Sequence, residues 1–299
     1  MNKIAITTSS FAKDKPEILK LIPLAYEILM NPYGRTLKSG ELTAFASEAV
    51  GIIAGTEKYD ESVFSKLPQL KVISRVGVGI DSIDQSVAKA RGIKVFNTPD
   101  GPTQAVAELV IGLILSLLRK TYLMDRELRQ GNWKKEMGNL LSGKNVGIVG
   151  MGRIGRRVAE LVNAFGAKVA YTDIAVDMKF PNAAPLPLHD LLRWSDIVTL
   201  HCSEKGRLLG AAELRGMKKG SWLINAARGT LIDEPSLIEL LKNGHLAGAA
   251  LDVFEQEPYS GPLTRLPNVI VAPHIGSYAT ESRIQMETDA IQNLLEGLK

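Results

Sequence analysis

The sequence predicts an α/β protein built from two doubly wound parallel-sheet units. Three observations carry this. Runs rich in β-branched residues alternate with helical patterns along the chain, the length of 299 residues is about twice that of a usual single domain, and a glycine-rich strand-to-helix turn opens the second half. Alternation of this kind forms parallel βαβ units, whose strands are buried on both faces and read as continuous apolar runs.

In the first half "KIAIT" (3–7), "VGIIAG" (50–55), "KVISRVG" (71–77) and "KVFNT" (94–98) read as buried strands. Between them "KPEILKLIPLAYEIL" (15–29), "SGELTAFAS" (39–47), "DESVFSKL" (60–67) and "DSIDQSVAKARG" (81–92) have helical spacing, several with Ser or Asp at the cap and the last ending in Gly92. The most apolar segment, "AVAELVIGLILSLLRK" from Ala105, carries Glu108 and stops at Arg119, short of the ~20 apolar residues that a bilayer requires, so it reads as a buried helix. After the polar "RELRQGNWKKEMGN" a second series of strands begins: "NVGIVG" (145–150), "KVAYTD" (168–173), "DIVTLHC" (196–202), "SWLINAA" (221–227), "LAGAALDVF" (246–254) and "VIVAPH" (269–274). Helices such as "RIGRRVAELVNAFG" and "EPSLIELLKNG" separate most of them, and "TESRIQMETDAIQNLLEGLK" closes the chain as an amphipathic helix that packs back on the first unit.

The net charge of +4 is spread without a basic block, which argues against nucleic acid as a partner. The single cysteine, Cys202, fits a reducing compartment, and "MNKIAITTSS" has no signal-peptide pattern. A soluble cytoplasmic protein that binds no membrane and no metal is expected.

The strongest motif is "VGIVGMGRIGRRVAELV". Gly150, Gly152 and Gly155 form G-x-G-x-x-G directly after a strand and at the mouth of a helix, with Arg153 and Ile154 at the helix start. The first glycine permits the tight turn, the second lets backbone approach a pyrophosphate, and the third lets helix and strand pack closely. Asp173 closes the next strand at the distance expected for a carboxylate that bonds the ribose hydroxyls, so a Rossmann-type NAD site is predicted. The following "IAVDMK" offers Lys179 as its one basic residue for a ribose phosphate, a weak signal for NADP.

Ligands of open parallel sheets lie outside the carboxyl ends of the strands. That edge carries Asp173, His201 and Cys202, Arg228 after Ala226 and Ala227, Asp252 with Glu257 beyond it, and His274 followed by Gly276. Hydride transfer to or from a 2-hydroxy acid needs a group that exchanges a proton near neutral pH, and histidine, with a reference pKa of about 6.5, suits it. A neighbouring carboxylate orients the imidazole and favours its charged form, and an arginine fork binds the substrate's carboxylate and oxygen. Singly, each of these residues reads as a loop or cap; together they predict catalytic His274, Glu257 and Arg228.

The stretches "RVGVGIDSID", "NTPDGPTQAVAELVIGLILSLLR", "VGIVGMGRIGRRVA", "LINAARGTLIDEPSLIELLKNGHLAGAALDVFEQEP" and "VAPHIGS" resemble the D-isomer-specific 2-hydroxyacid dehydrogenases over nearly the whole chain. The resemblance implies that His274 is the acid/base, Glu257 its orienting partner, Arg228 the substrate anchor, and Asp252 the partner of the nicotinamide carboxamide. It implies cofactor contacts from Thr103, Cys202, Ala226, Ala227, Arg228, His274 and Gly276, and a substrate-carboxylate loop at Val76, Gly77, Val78 and Gly79. It further implies that the NAD-binding domain, 99–276, is inserted in a substrate-binding, flavodoxin-like domain of 1–98 plus 277–299, with a cleft that closes over substrate, and that the protein is a homodimer. Within the family the chain most resembles short D-3-phosphoglycerate dehydrogenases without a C-terminal regulatory domain, where Arg75, helped by Lys134 or Lys135, would bind a substrate phosphate. Glyoxylate or hydroxypyruvate reduction stays open, as does a non-catalytic NADH sensor. Glutamate rather than glutamine at 257 disfavours the formate-type branch. The stretch "LHCSEKGRLLG" is shorter than the family pattern, which implies weaker contact to the adenine.

Overall fold

The computed structural model describes residues 1–174, 180–202 and 206–299. The chain forms two compact units, Met1–Pro102 with Ser277–Lys299, and Thr103–Gly276. Residues 99–102, given to the second unit by the sequence, belong to the first.

In the first unit the strands are β1 (Asn2–Ile6), β2 (Tyr26–Met30), β3 (Ala49–Ala54), β4 (Val72–Arg75) and β5 (Lys94–Asn97), and the helices between them α1 (Ser39–Phe45), α2 (Glu61–Phe64) and α3 (Gln85–Ala90). The strands pair in parallel in the order β2-β1-β3-β4-β5. Ile4, Ile6, Ile53 and Val72 are buried on one face, and Ala5, Ile52 and Ile73 on the other. Each buried Ile or Val contributes about 1.5–3 kcal/mol. The helix predicted over 15–29 is absent. A 3-10 turn over Pro16–Leu21 and strand β2 stand there instead, because Pro23 has no N–H to donate and holds Ile22 extended at ψ 121°. Helix α3 starts later than "DSID" suggests, since the Asp84 carboxylate caps it by accepting from the Ser86 and Val87 N–H groups at 3.0 and 3.1 Å.

The second unit begins within helix α4 (Gly101–Arg119), followed by α5 (Thr121–Arg129), an unpredicted helix that runs into the polar stretch. Its strands are β6 (Asn145–Val149), β7 (Lys168–Thr172), β8 (Ala183–Pro185), β9 (Ile197–Leu200), β10 (Trp222–Asn225), β11 (Gly248–Leu251) and β12 (Val269–Val271). They are linked by α6 (Arg153–Ala164), α7 (Leu188–Trp194), α8 (Ala211–Gly216) and α9 (Glu234–Lys242). All pair in parallel in the order β12-β11-β10-β9-β6-β7-β8. The chain winds outward from β6 to β8 and then returns to the other side of β6, so the switch point that receives dinucleotides in such folds lies between β6 and β9. Helix α4 is long and apolar enough to cross a membrane, but its Ala107, Val110, Ile114 and Leu118 are buried in the core against β6 and α6. Val158, Ala159 and Val162 are the apolar stripe of α6 in the same core.

The chain closes with α10 (Thr280–Leu298), whose Met286, Ala290, Ile291 and Leu294 complete the core of the first unit. This is the packing that the amphipathic pattern predicts.

Candidate active site

The strands of the second unit end one to three residues earlier than their apolar runs. The functional residues therefore stand in turns just past the sheet edge. Across the sheet the edge runs from His274 after β12, through Asp252 after β11 and Arg228 after β10, to His201 and Cys202 after β9, Gly150 after β6 and Asp173 after β7. The residues expected to transfer a proton and those expected to bind phosphate thus share one edge.

At the phosphate end Gly150 has φ +94°, and a Cβ there would lie 2.7 Å from the Cys202 amide nitrogen. Only glycine fits both constraints. The Asp173 carboxylate accepts from the Met151 N–H and so fixes the glycine turn. Val149, Gly150, Gly152, Thr172, Asp173 and Cys202 are among the residues lining a cavity of about 510 Å³. Arg153, Ile154 and Gly155 form the first turn of α6, a helix start of the kind that suits a pyrophosphate. His201 Nε2 is 2.9 Å from Thr199 Oγ1, and burial lowers the ring to about 3, which keeps it neutral near pH 7. Lys179 and the shortened segment 203–205 lie outside the described residues.

At the other end His274 Nδ1 donates to Glu257 Oε2 at 2.8 Å, and Glu257 Oε1 accepts from the Phe254 N–H at 3.0 Å. With Nδ1 so engaged, Nε2 is the nitrogen left to exchange a proton. The His274 turn is held from below: buried Asp252 accepts from the Ile275 N–H at 2.7 Å and the Gly276 N–H at 2.8 Å, one on each carboxylate oxygen. Burial raises the Asp252 carboxyl above its ordinary value, against the lowering effect of these two bonds. Asp252, expected to meet the nicotinamide, anchors the turn that carries His274.

Arg228 follows β10 in a turn stapled by a residue that the sequence did not single out. Buried Asn225 accepts from the Ala227 N–H at 3.0 Å through Oδ1 and donates to the Arg228 carbonyl at 2.9 Å through Nδ2. An asparagine closing the apolar run "WLIN" was the available signal. Next to Arg228, Gly229 packs on the backbone of Phe254 and Glu255, where a Cβ would come within 1.9 Å of the Phe254 carbonyl carbon. The turns bearing Arg228 and Glu257 therefore touch. Thr103 stands in the first turn of α4, and the backbone of Gly276 adjoins Val106 of that helix.

In the first unit the loop after β4 is partly committed to its own structure. The Val76 N–H donates to Ala54 O at 3.0 Å and the Gly77 N–H to Thr98 Oγ1 at 2.7 Å. The four-residue carboxylate loop predicted there narrows to the N–H groups of Val78 and Gly79, which carry no such bond among the described residues. The Arg75 side chain folds back to donate to the Val76 carbonyl at 2.5 Å. A second residue missed in the sequence, Glu57, is buried nearby and accepts from Thr7 Oγ1 at 3.1 Å and the Gly55 N–H at 2.8 Å. Burial raises its carboxyl, and the Arg75 charge partly opposes this.

The family model "D-isomer specific 2-hydroxyacid dehydrogenase, NAD binding domain" matches residues 111–276. The chain belongs to that family. Among relatives of this dehydrogenase, a glyoxylate reductase of Thermofilum pendens is 44% identical over 259 residues, covering 82% of this chain and 76% of that protein. A D-3-phosphoglycerate dehydrogenase of Archaeoglobus fulgidus is 38% identical over 260 residues, 83% of this chain but 49% of that protein. The crystal structure of the TT0316 protein from Thermus thermophilus superposes with a TM-score of 0.91 at 36% identity, over 99% of this chain and 96% of that one. The dehydrogenase accordingly has two parallel-sheet α/β domains and an NAD-binding domain, and the glycine turn, the cavity and Asp173 are residues that fit NAD.

Proposed function

We propose that this dehydrogenase reduces a short, unphosphorylated 2-oxo acid of the glyoxylate or hydroxypyruvate class to the D-2-hydroxy acid. The observation that carries the reading is the 2.8 Å bond between His274 and Glu257 on a turn anchored by Asp252. Bound NADH supplies the hydride for the carbonyl carbon. His274 Nε2 gives its proton to the carbonyl oxygen, so that 2-oxo acid, NADH and a proton become 2-hydroxy acid and NAD. Arg228 holds the substrate oxygens with its planar fork.

Two observations favour a substrate without phosphate over 3-phosphohydroxypyruvate. Arg75 is bonded to its own loop and faces the Glu57 charge, and Lys134 pairs with Glu136 at 3.0 Å. The name of the Thermofilum relative points the same way, while the Archaeoglobus relative supports the phosphorylated alternative. NADH oxidation with glyoxylate, hydroxypyruvate and 3-phosphohydroxypyruvate decides between them. We expect kcat/KM at least about tenfold higher for an unphosphorylated acid, a difference of about 1.4 kcal/mol. The reverse order would return the enzyme to phosphoglycerate chemistry, and NADH binding without turnover would make it a sensor.

We further propose a cytoplasmic homodimer. Trp133, Met137 and Leu140 are 80%, 90% and 69% exposed on one short segment of the cofactor unit, and a second copy packed there would remove their apolar side chains from water. Sedimentation at twice the chain mass of 32.5 kDa is the expected result.

A further inference from the structure

Glu257 and His274 are 37% and 53% exposed, so burial does not hold the pair in place. A tether two residues further along does. The Tyr259 hydroxyl donates to the Glu234 carboxylate at the start of α9 and accepts from the Leu263 N–H at 3.3 Å. Burial, and then the Glu234 carboxylate, push the phenol up to about 12, so it remains a donor at neutral pH. The Tyr259 ring stacks on Phe254, with centroids 4.1 Å apart and 14° between planes. Phe254 in turn donates its N–H to Glu257. Tyr259 therefore brackets the catalytic carboxylate from both sides in sequence, through the ring on Phe254 and through the hydroxyl on α9. Because α9 follows the Arg228 turn, the same bond ties the arginine and glutamate segments together, in addition to the Gly229 contact.

We propose that Tyr259, fixed by Glu234, is a positioning residue that sets the orientation of the Glu257–His274 pair and so the rate of proton transfer. The proposal rests on the reductase reading given above. It assigns to Tyr259 an effect on turnover and none on NADH affinity, because no part of the tether reaches the glycine turn.

The test uses the full chain and its variants Tyr259→Phe, Glu234→Ala and Glu234→Gln. Tyr259→Phe keeps the ring stack and removes the hydroxyl. It should lower kcat about tenfold, a loss that a misplacement below 1 Å can produce, with KM for NADH unchanged. Glu234→Ala should match it, the double variant should fall no further, and Glu234→Gln, with an acceptor oxygen in place, should recover most of the loss. A Tyr259→Phe enzyme with wild-type kcat, or one whose losses appear equally in KM for NADH, overturns the proposal. Should Tyr259→Phe fail to fold, Glu234→Ala carries the same comparison. Amide hydrogen exchange at Phe254 separates this outcome from failure of the reductase reading. Faster exchange in Tyr259→Phe supports the tether even if the wild type reduces no 2-oxo acid, and unchanged exchange rejects it even if the wild type is active.

Discussion

His274 stands in the left-handed backbone region at φ 56°, which costs a non-glycine residue roughly 1–2 kcal/mol. The two N–H bonds to the Asp252 carboxylate, each charge-assisted, offset that cost and keep the imidazole turned toward Glu257. Replacement of His274 by alanine should lower kcat by about 10²–10⁴, the usual worth of a general acid. NADH affinity, followed by fluorescence titration, should be retained, since the cofactor residues at the glycine turn are untouched. Equal turnover in His274→Ala would remove histidine from the mechanism. At this scale His274, Glu257 and Arg228 were legible because a charged or titratable residue after an apolar strand is visible in the letters. Asn225, the anchoring role of Asp252 and the tether at Tyr259 were not, because their partners are backbone groups or residues distant in sequence.

Among elements, the strands that sit inside the two sheets were readable as apolar runs, and so were the edge strands β5 and β12, while the edge strands β2 and β8 were not. Strand β2 is half-exposed and follows Pro23, and β8 is three residues long and ends in Pro185, so neither shows the pattern that burial on both faces imposes. Turns depend on single side chains. Asn225 at the end of β10 satisfies the buried Ala227 N–H and donates to the Arg228 carbonyl, which also accepts from the Leu231 N–H at 3.3 Å. Asn225→Ala should therefore destabilise the protein by about 1–3 kcal/mol, measured as a lower midpoint of denaturant unfolding, and should also lower kcat/KM by loosening Arg228. A variant as stable as wild type would show that the turn needs no staple.

For the molecule as a whole, pH sensitivity follows from the buried carboxylates Glu57, Asp252 and Glu287, all raised above their ordinary values chiefly by burial. Glu57 in the unfolded chain ionises near its ordinary value of 4.5, whereas in the folded chain it ionises later. The stability it contributes is thus fully present below that value and is lost as pH rises through the folded pKa. Glu57→Gln keeps an oxygen for Thr7 and Gly55 and removes the charge, so its Tm should equal that of wild type near pH 4 and exceed it increasingly toward pH 8. A gap that narrows with rising pH would reverse the assignment.

The placement of α10 has a consequence for biosynthesis. One face of the first sheet, with Ile4, Ile6, Ile53 and Val72, is covered by Met286, Ala290, Ile291 and Leu294, which leave the ribosome only after the whole NAD-binding unit has been made. The inserted unit can fold on emergence, while the sheet translated before it waits with a greasy flank uncovered. Translation order and folding order are therefore inverted, and the nascent N-terminal sheet is the part of this enzyme that calls for a chaperone.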